Sequence, residues 1–227
     1  MDLPQYAGPF VKAVDSPWCD YLEYGSKRAF KANVTLLHPG EQVRYLYYVQ
    51  EGEILVTHVA TAEDNFKVHI IGANAVAGII EMFSPLPPQT AWRTLQPCIC
   101  RLFSRDSVEK ELPRELLLNL LEQVSYMGVN MAGRFSNGLS KHNDVRLARF
   151  LLHFAEACPT RQDPDKPGVT VIPGITQALS SELLGMHPVT FNKLLAGFRR
   201  QGIIGKTKQN SLEILDLKAL SAQASRG

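Results

Sequence analysis

Between Met186 and Asn210 the chain carries five cations, Lys193, Arg199, Arg200, Lys206 and Lys208, and no acid. A local patch of that kind suits phosphate oxygens. Short side chains with hydrogen-bonding or methyl groups stand beside it. Thr176 and Gln177 open one apolar-periodic run, and His187, Val189, Thr190 and Asn192 stand at the start of a second that also holds Lys193. Lysine fits guanine O6 and N7, and a threonine methyl fits the thymine methyl, so Thr190 and Lys193 suit base edges or nearby phosphates. At a helix start the outward backbone N–H groups and the helix dipole hold a phosphate, which gives Thr176 and Gln177 that role. Other chemistry-bearing residues are scattered. Cys19, Cys98, Cys100 and Cys158 include no Cys-x-x-Cys pair, and Cys98-Ile99-Cys100 points two thiols to one strand face. They read as reduced structural thiols, with a redox role for Cys19 or Cys158 as the alternative. The six histidines do not cluster. His58 and His69 could share a strand face, but no His-x-His with a matching Glu supports a cupin-type metalloenzyme. We therefore expect no metal site and no catalytic set.

The elements that must position these residues are legible. Thr176 is an N-cap type, and the helix it opens, Gln177 to Leu184, places Leu179, Leu183 and Leu184 on one face. Gly185 ends it, Met186-His187 forms the turn, and Pro188 suits a first helical turn. The second helix turns Phe191, Leu194, Leu195 and Phe198 inward and leaves His187, Val189, Thr190, Asn192 and Lys193 near its exposed N-terminal end. Two short helices joined in this way make a helix-turn-helix, whose second helix enters a DNA major groove. The alternative, a plain helical hairpin in a core, leaves the cations unexplained. Ile203-Ile204 and Leu212 to Leu215 read as two strands of a wing, with Lys206 and Lys208 on it.

At 227 residues, 45% hydrophobic and 20% charged, the chain has the composition of one large or two small folded domains. Its net charge of +2 rules out a protein that coats nucleic acid over its whole surface. MDLPQYAGPF shows no secretory leader and no run is long enough to span a membrane, so a cytoplasmic location is expected. Residues 1–30 read as loops and a short helix. Residues 31–104 read as short strands: Val34 to Leu37, a turn at His38-Pro39-Gly40-Glu41, Tyr45 to Val49, and Glu53 to Val59 as its hairpin partner across Gly52. Phe66 to Ile71, Thr90 to Trp92 and Cys98 to Phe103 follow, with corners at Gly72 and Gly78. Many short strands at about ten-residue intervals predict a β-sandwich or double-sheet barrel.

From Leu112 to Phe135 the apolar residues Leu116, Leu117, Leu120, Leu121, Val124, Met127, Met131 and Phe135 recur at three and four. That predicts a helix of roughly 24 residues and about 36 Å. Its apolar positions exceed one face, which predicts packing on its own domain and on a second copy. Ser136 to Asp144 reads as a polar hinge, Val145 to Cys158 as a helix, and Pro159 to Pro173, with four prolines, as an exposed loop.

The order of a small β domain, long helix, hinge and winged helix-turn-helix resembles the Crp/Fnr family of bacterial regulators over nearly the whole chain. His38-Pro39-Gly40-Glu41, Leu46-Tyr47-Tyr48-Val49 with Gly52, and the helix-turn-helix carry the likeness. The resemblance implies an α+β chain. Residues 1–111 would be an effector-sensing double-stranded β-helix (jelly-roll, cyclic-nucleotide-binding-like), 112–137 a dimerisation helix, and 138–227 the winged DNA-binding domain. It further implies a homodimer on palindromic double-stranded DNA, contact with RNA polymerase, and an unknown small-molecule effector. Family sensors of cyclic AMP carry a glutamate and an arginine where this chain has Ile79 and Gln89, so a cyclic phosphate would lack its counter-charge. One N-terminal cysteine, Cys19, is too few for an iron–sulfur cluster. Haem sensing stays open as an alternative, with His38, His58 and His69 as candidate ligands. Met186-His187-Pro188-Val189-Thr190 resembles the recognition segment of regulators that sense halophenols. Met127 stands where their ligand-binding lysine aligns. The expected effector pocket lies among Gly78, Ile79, Ile80, Gln89, Thr90, Tyr126, Met127 and Asn130, unless these side chains simply fill the barrel.

Overall fold

The computed structural model describes residues 7–11, 16–59, 65–138, 142–157, 161–162, 169–173, 176–208 and 211–226. Two compact units result, one of Pro9–Gly128 and one holding Leu3–Gly8 with Val129–Gly227. The first begins with β1 (Phe10–Val11), a 3-10 helix (Pro17–Tyr24), β2 (Ser26–Phe30), β3 (Thr35–Leu37), β4 (Tyr45–Glu51), β5 (Ile54–Val59) and β6 (Asn65–Ile71). It continues with β7 (Val76–Ala77), α1 (Ile79–Phe83), β8 (Thr90–Thr94), β9 (Cys98–Ser104), α2 (Arg105–Lys110) and the start of α3 (Arg114–Gly138). The strands form a five-stranded sheet ordered β1-β6-β5-β8-β3 and a four-stranded sheet ordered β2-β9-β4-β7.

The expected β4–β5 hairpin is not formed. β4 pairs with β9 and β7, whereas β5 pairs with β6 and β8. The turn at Gly52 carries the chain from one sheet to the other. Gly52 has φ +94°, and a Cβ there would lie 2.5 Å from both Cys98 Sγ and the Pro97 carbonyl oxygen. Close approach to β9, not a hairpin, is what demands glycine. The helix within residues 1–30 is found, but β1 and β2 replace part of what reads as loop. β2 is nearly all exposed on an edge, so it lacks the apolar alternation by which strands are read.

Trp18 anchors the sandwich core. It is fully buried, stacks on Tyr48 at 6.0 Å and meets Phe103 edge-on at 4.8 Å. Its indole N–H donates to Asn119 Oδ1 on α3 at 3.0 Å. Gln123, also on α3, accepts from the Val76 N–H at 2.9 Å and donates to the Val76 carbonyl at 2.5 Å. Its amide thus replaces a neighbouring strand for β7. Gln123→Ala would strand both groups of Val76 in a buried site, and is expected to cost about 2 kcal/mol, read as a lower urea midpoint.

α3 confirms the long helix, and its buried positions, Leu116, Asn119, Leu120, Gln123, Met127 and Asn130, form one stripe. Leu117, Leu121, Met131 and Phe135 are exposed on another. The boundary between the units falls inside this helix, at Gly128, so no unit edge coincides with residue 111 or 137. Within the second unit, Asn130 accepts from the Gly8 N–H at 3.0 Å and Arg134 donates to the Leu183 carbonyl at 3.2 Å.

That unit adds α4 (Asn143–Ala157), β10 (Arg161–Gln162), β11 (Thr170–Pro173), α5 (Gln177–Leu184), α6 (Pro188–Arg200), β12 (Ile204–Lys208), β13 (Ser211–Ile214) and α7 (Leu217–Ala224). The polar hinge is shorter than expected, because α3 runs to Gly138 and α4 begins at Asn143. The proline-rich loop is also corrected in part. Residues 161–162 and 170–173 are strands of a sheet ordered β10-β11-β13-β12. Pro173 takes the end of a strand, where its missing N–H costs least. Cys158 lies outside the described residues.

Candidate functional site

The helix-turn-helix is built by its caps. Thr176 Oγ1 accepts from the Leu179 N–H at 3.1 Å, so the predicted N-cap is in place. Gly185, at φ +58°, closes α5, and the Gly185 and Met186 N–H groups donate back to the Glu182 and Ser181 carbonyls. Two guanidinium groups hold the last α5 carbonyls: Arg134 on Leu183, and Arg146 on Leu184 at 2.5 Å. Burial pushes the Arg134 guanidinium down to about 10, which leaves it charged at neutral pH. α6 then starts at Pro188, and His187 caps it by accepting from the Val189 N–H through Nδ1 at 3.3 Å. That nitrogen therefore positions the helix.

Phe191, Leu195 and Phe198 are buried at spacings of four and three. Opposite them Val189, Asn192, Lys193 and Arg200 are exposed, while Thr190 is half-buried. Lys193 and Arg200 lie seven residues, two helical turns, apart on this outward stripe. Arg200 is an addition to the expected site residues, although the same seven-residue spacing is visible in the sequence. Arg199 is committed elsewhere, its Nε donating to the Gly205 carbonyl at 3.3 Å and joining α6 to the wing. Gln177 is exposed on the first turn of α5. Lys206 is exposed on β12, where its backbone N–H donates to the buried Glu213 carboxylate at 3.0 Å. Lys208 ends β12 and pairs with Ser211, and its side chain lies outside the described residues. The surface so assembled presents cations and short polar groups on a helix end and a strand pair.

The first unit holds a cleft of about 660 Å³. Of the eight expected pocket residues, Ile80, Gln89 and Thr90 line it. Gly78 and Ile79 are buried and do not line it, with Gly78 at φ +100° starting α1 and a Cβ there only 2.9 Å from the Trp92 ring. Tyr126 and Met127 pack on the sandwich core, and Asn130 belongs to the other unit. The structure adds Glu81 and His58, neither of which was among the eight expected pocket residues. Glu81 Oε1 accepts from the Thr90 hydroxyl at 2.8 Å and from the Trp92 N–H at 3.3 Å. The signal was an acid within the otherwise apolar run Ala77 to Phe83. His58 pairs in register with Thr90 across β5 and β8 and stacks on Phe66 at 4.9 Å.

Burial disposes of the paired thiols. Cys98 and Cys100 are both buried, and burial pushes the Cys100 thiol up to about 12, so it stays protonated and unreactive. Cys19 is exposed. Among the described residues no group of three His, Cys, Asp or Glu side chains could hold a metal, and no helix is long and apolar enough to cross a membrane. Burial also pushes the Glu53 carboxyl up to about 7. The folded state then holds this proton between about pH 4.5 and 7, where the unfolded chain has lost it. Stability from Glu53 is present below that window and is lost as pH rises through it. Glu53→Gln is expected to raise stability by about 2 kcal/mol at pH 8 and to leave it unchanged at pH 4, read by urea unfolding at both.

Two family models match the chain in succession: a cyclic nucleotide-binding domain over residues 27–115 and a Crp-like helix-turn-helix domain over residues 145–223. The global nitrogen regulator of Synechococcus elongatus is 23% identical over 207 residues, covering 86% of this chain and 88% of that protein. Among solved structures, CprK complexed with OCPA superposes with a TM-score of 0.72 at 18% identity, over 96% of this chain and 100% of that one. A CRP/FNR-family transcriptional regulator from Thermus thermophilus gives 0.73 at 20% identity, over 89% and 100%. The fold is therefore a cyclic-nucleotide-binding β-roll followed by a Crp-like helix-turn-helix, and these similarities are to regulators and not to enzymes.

Proposed function

We propose that this chain, a Crp/Fnr-type transcriptional regulator, acts as a homodimer on a palindromic DNA site, with its affinity set by a small molecule bound in the β-roll cleft. The outward stripe of α6 carries the reading. A helix capped by His187 offers Val189, Asn192 and Lys193 to a major groove, and Arg200, two turns on, to the backbone beside it. Thr176 and Gln177 meet phosphate at the start of α5, and Lys206 and Lys208 add charge from the wing. The likeness of Met186 to Thr190 to the halophenol-sensing regulators bears on the half-site sequence. In this reading residues 1–111 sense, 112–137 dimerise and 138–227 bind DNA, and the protein works in the cytoplasm and contacts RNA polymerase.

The effector is not cyclic AMP, because Ile79 and Gln89 supply neither the carboxylate nor the cation that a cyclic nucleotide needs. A small organic effector is supported by CprK, which shares the fold and is complexed with OCPA. The test is selection of bound duplexes from a random pool, with and without a metabolite extract. A palindrome with half-sites about 34 Å apart, enriched in one condition only, is the expected result. Absence of any consensus in both conditions would sink the DNA-reading role.

A further inference from the structure

The β-roll cleft has an electrostatic character that points to its occupant. Its lining includes one carboxylate, Glu81, and among the described residues no lysine or arginine. The carboxylate is fixed. Thr90 and Trp92 both donate to Oε1, and Oε2 makes no hydrogen bond among the described residues. His58, beside Thr90 in register, has a buried Nδ1 with no hydrogen-bond partner among the described residues. The lining also includes the apolar Leu86, Pro87 and Pro88, and Leu86 is 72% exposed. Exposed apolar side chains at a cleft mouth gain by being covered.

An anion placed here would face Glu81 with no lysine or arginine among the described lining residues to offset the repulsion, at a site where water screens only in part. An ammonium or other N–H-bearing cation would donate to the free Oε2 in a charge-assisted hydrogen bond. We propose that the cleft binds a small organic cation, an amine on an apolar body, with Glu81 as its counter-ion and the proline-lined wall as the seat of the apolar part. This rests on the reading of the cleft as the effector site, and it gives that effector a chemical class.

The test uses the full-length chain and matched compounds that differ only in the head group, beginning with 2-phenylethylamine, 2-phenylethanol and phenylacetate and extending to branched aliphatic bodies. Binding is read by ligand-observed NMR and calorimetry. The amines are expected to bind roughly tenfold or more tighter than the carboxylates of the same body. Glu81→Gln is expected to bring the amines down to the level of the alcohols. Because Glu81 also receives Trp92, a second variant, Gln89→Arg, leaves that hydrogen bond intact and sets a guanidinium at the rim. It is expected to strengthen the carboxylates and weaken the amines. Carboxylates that match the amines in the native chain, or no binding by any amine of the series, would overturn the proposal. DNA selection run on the same preparations separates the two ideas. A chain that enriches a palindrome but prefers carboxylates keeps its regulatory role and loses only this inference. One that binds amines yet selects no DNA loses the regulatory role and keeps the ligand class.

Discussion

Replacing Lys193 and Arg200 with alanine is expected to weaken binding to the selected palindrome by roughly 30- to 1,000-fold. Each such interaction is worth about 1–2 kcal/mol and a dimer makes each of them twice, so even one effective interaction per subunit gives about 2–4 kcal/mol. The two residues should separate by kind of defect. Lys193 lies close to the N-terminal end of α6, where base edges are reached, so Lys193→Ala should relax discrimination at one position of each half-site. Arg200, two turns on, meets backbone, and Arg200→Ala should lower the salt slope by about 0.9 for each phosphate it no longer neutralises while leaving base preference unchanged. Arg199 is the internal control. Its Nε is engaged with the Gly205 carbonyl, so Arg199→Ala should lower thermal stability and change the salt slope little. Salt titrations of fluorescence anisotropy on matched and mismatched duplexes would show all three. Equal salt slopes for Arg199→Ala and Arg200→Ala would contradict this division of labour.

Local rules carry the helix-turn-helix reading because each of its parts is determined by its neighbours. Thr176, Gly185 and Pro188 each answer a backbone requirement within four residues, and all three take the predicted places. The wing follows for the same reason, from two apolar runs and a polar turn. What is not legible depends on partners far along the chain. Glu51-Gly52 looks like a hairpin turn until β9 is known to lie against Gly52. β10 and β11 are stretches of proline-rich sequence that become strands because β11 pairs with β13 and β10 pairs with β11. The effector cleft is half-legible. Ile80, Gln89 and Thr90 line it as expected, since they sit within α1 and at the start of β8. Tyr126, Met127 and Asn130 do not, since the helix face they occupy is taken by core packing and by Gly8. Glu81 is hidden because its role depends on hydrogen bonds from residues nine and eleven positions away.

Leu121→Glu is expected to convert the protein to monomers and to abolish DNA binding at concentrations where the native chain is saturated. α3 carries two adjacent apolar stripes. The inward one, through Leu116, Leu120, Gln123 and Met127, is used within the chain. The outward one runs Leu117, Leu121, Val124, Gly128, Met131 and Phe135, at spacings of four, three, four, three and four, which is the heptad pattern of a helix seam. Leu121 is 63% exposed and Phe135 72% exposed. Its large exposed members, Leu117, Leu121, Met131 and Phe135, are costly to leave in water on a single chain and favourable against a second copy. Gly128 falls in the same row, and a Cβ built there meets no described residue within 4 Å, so its small size serves an approach from outside. The charge introduced at residue 121 would be buried without a partner in a dimer but solvated in a monomer. Each DNA-binding unit would then hold only one half-site, and loss of the linked second half-site removes roughly two to four orders of magnitude in affinity. Sedimentation should show a halved mass for Leu121→Glu with an unchanged circular dichroism spectrum. Leu118→Glu is the matched control, because Leu118 is exposed one position outside the seam. It should remain dimeric, and monomerisation by both variants would place the interface on a different face of α3.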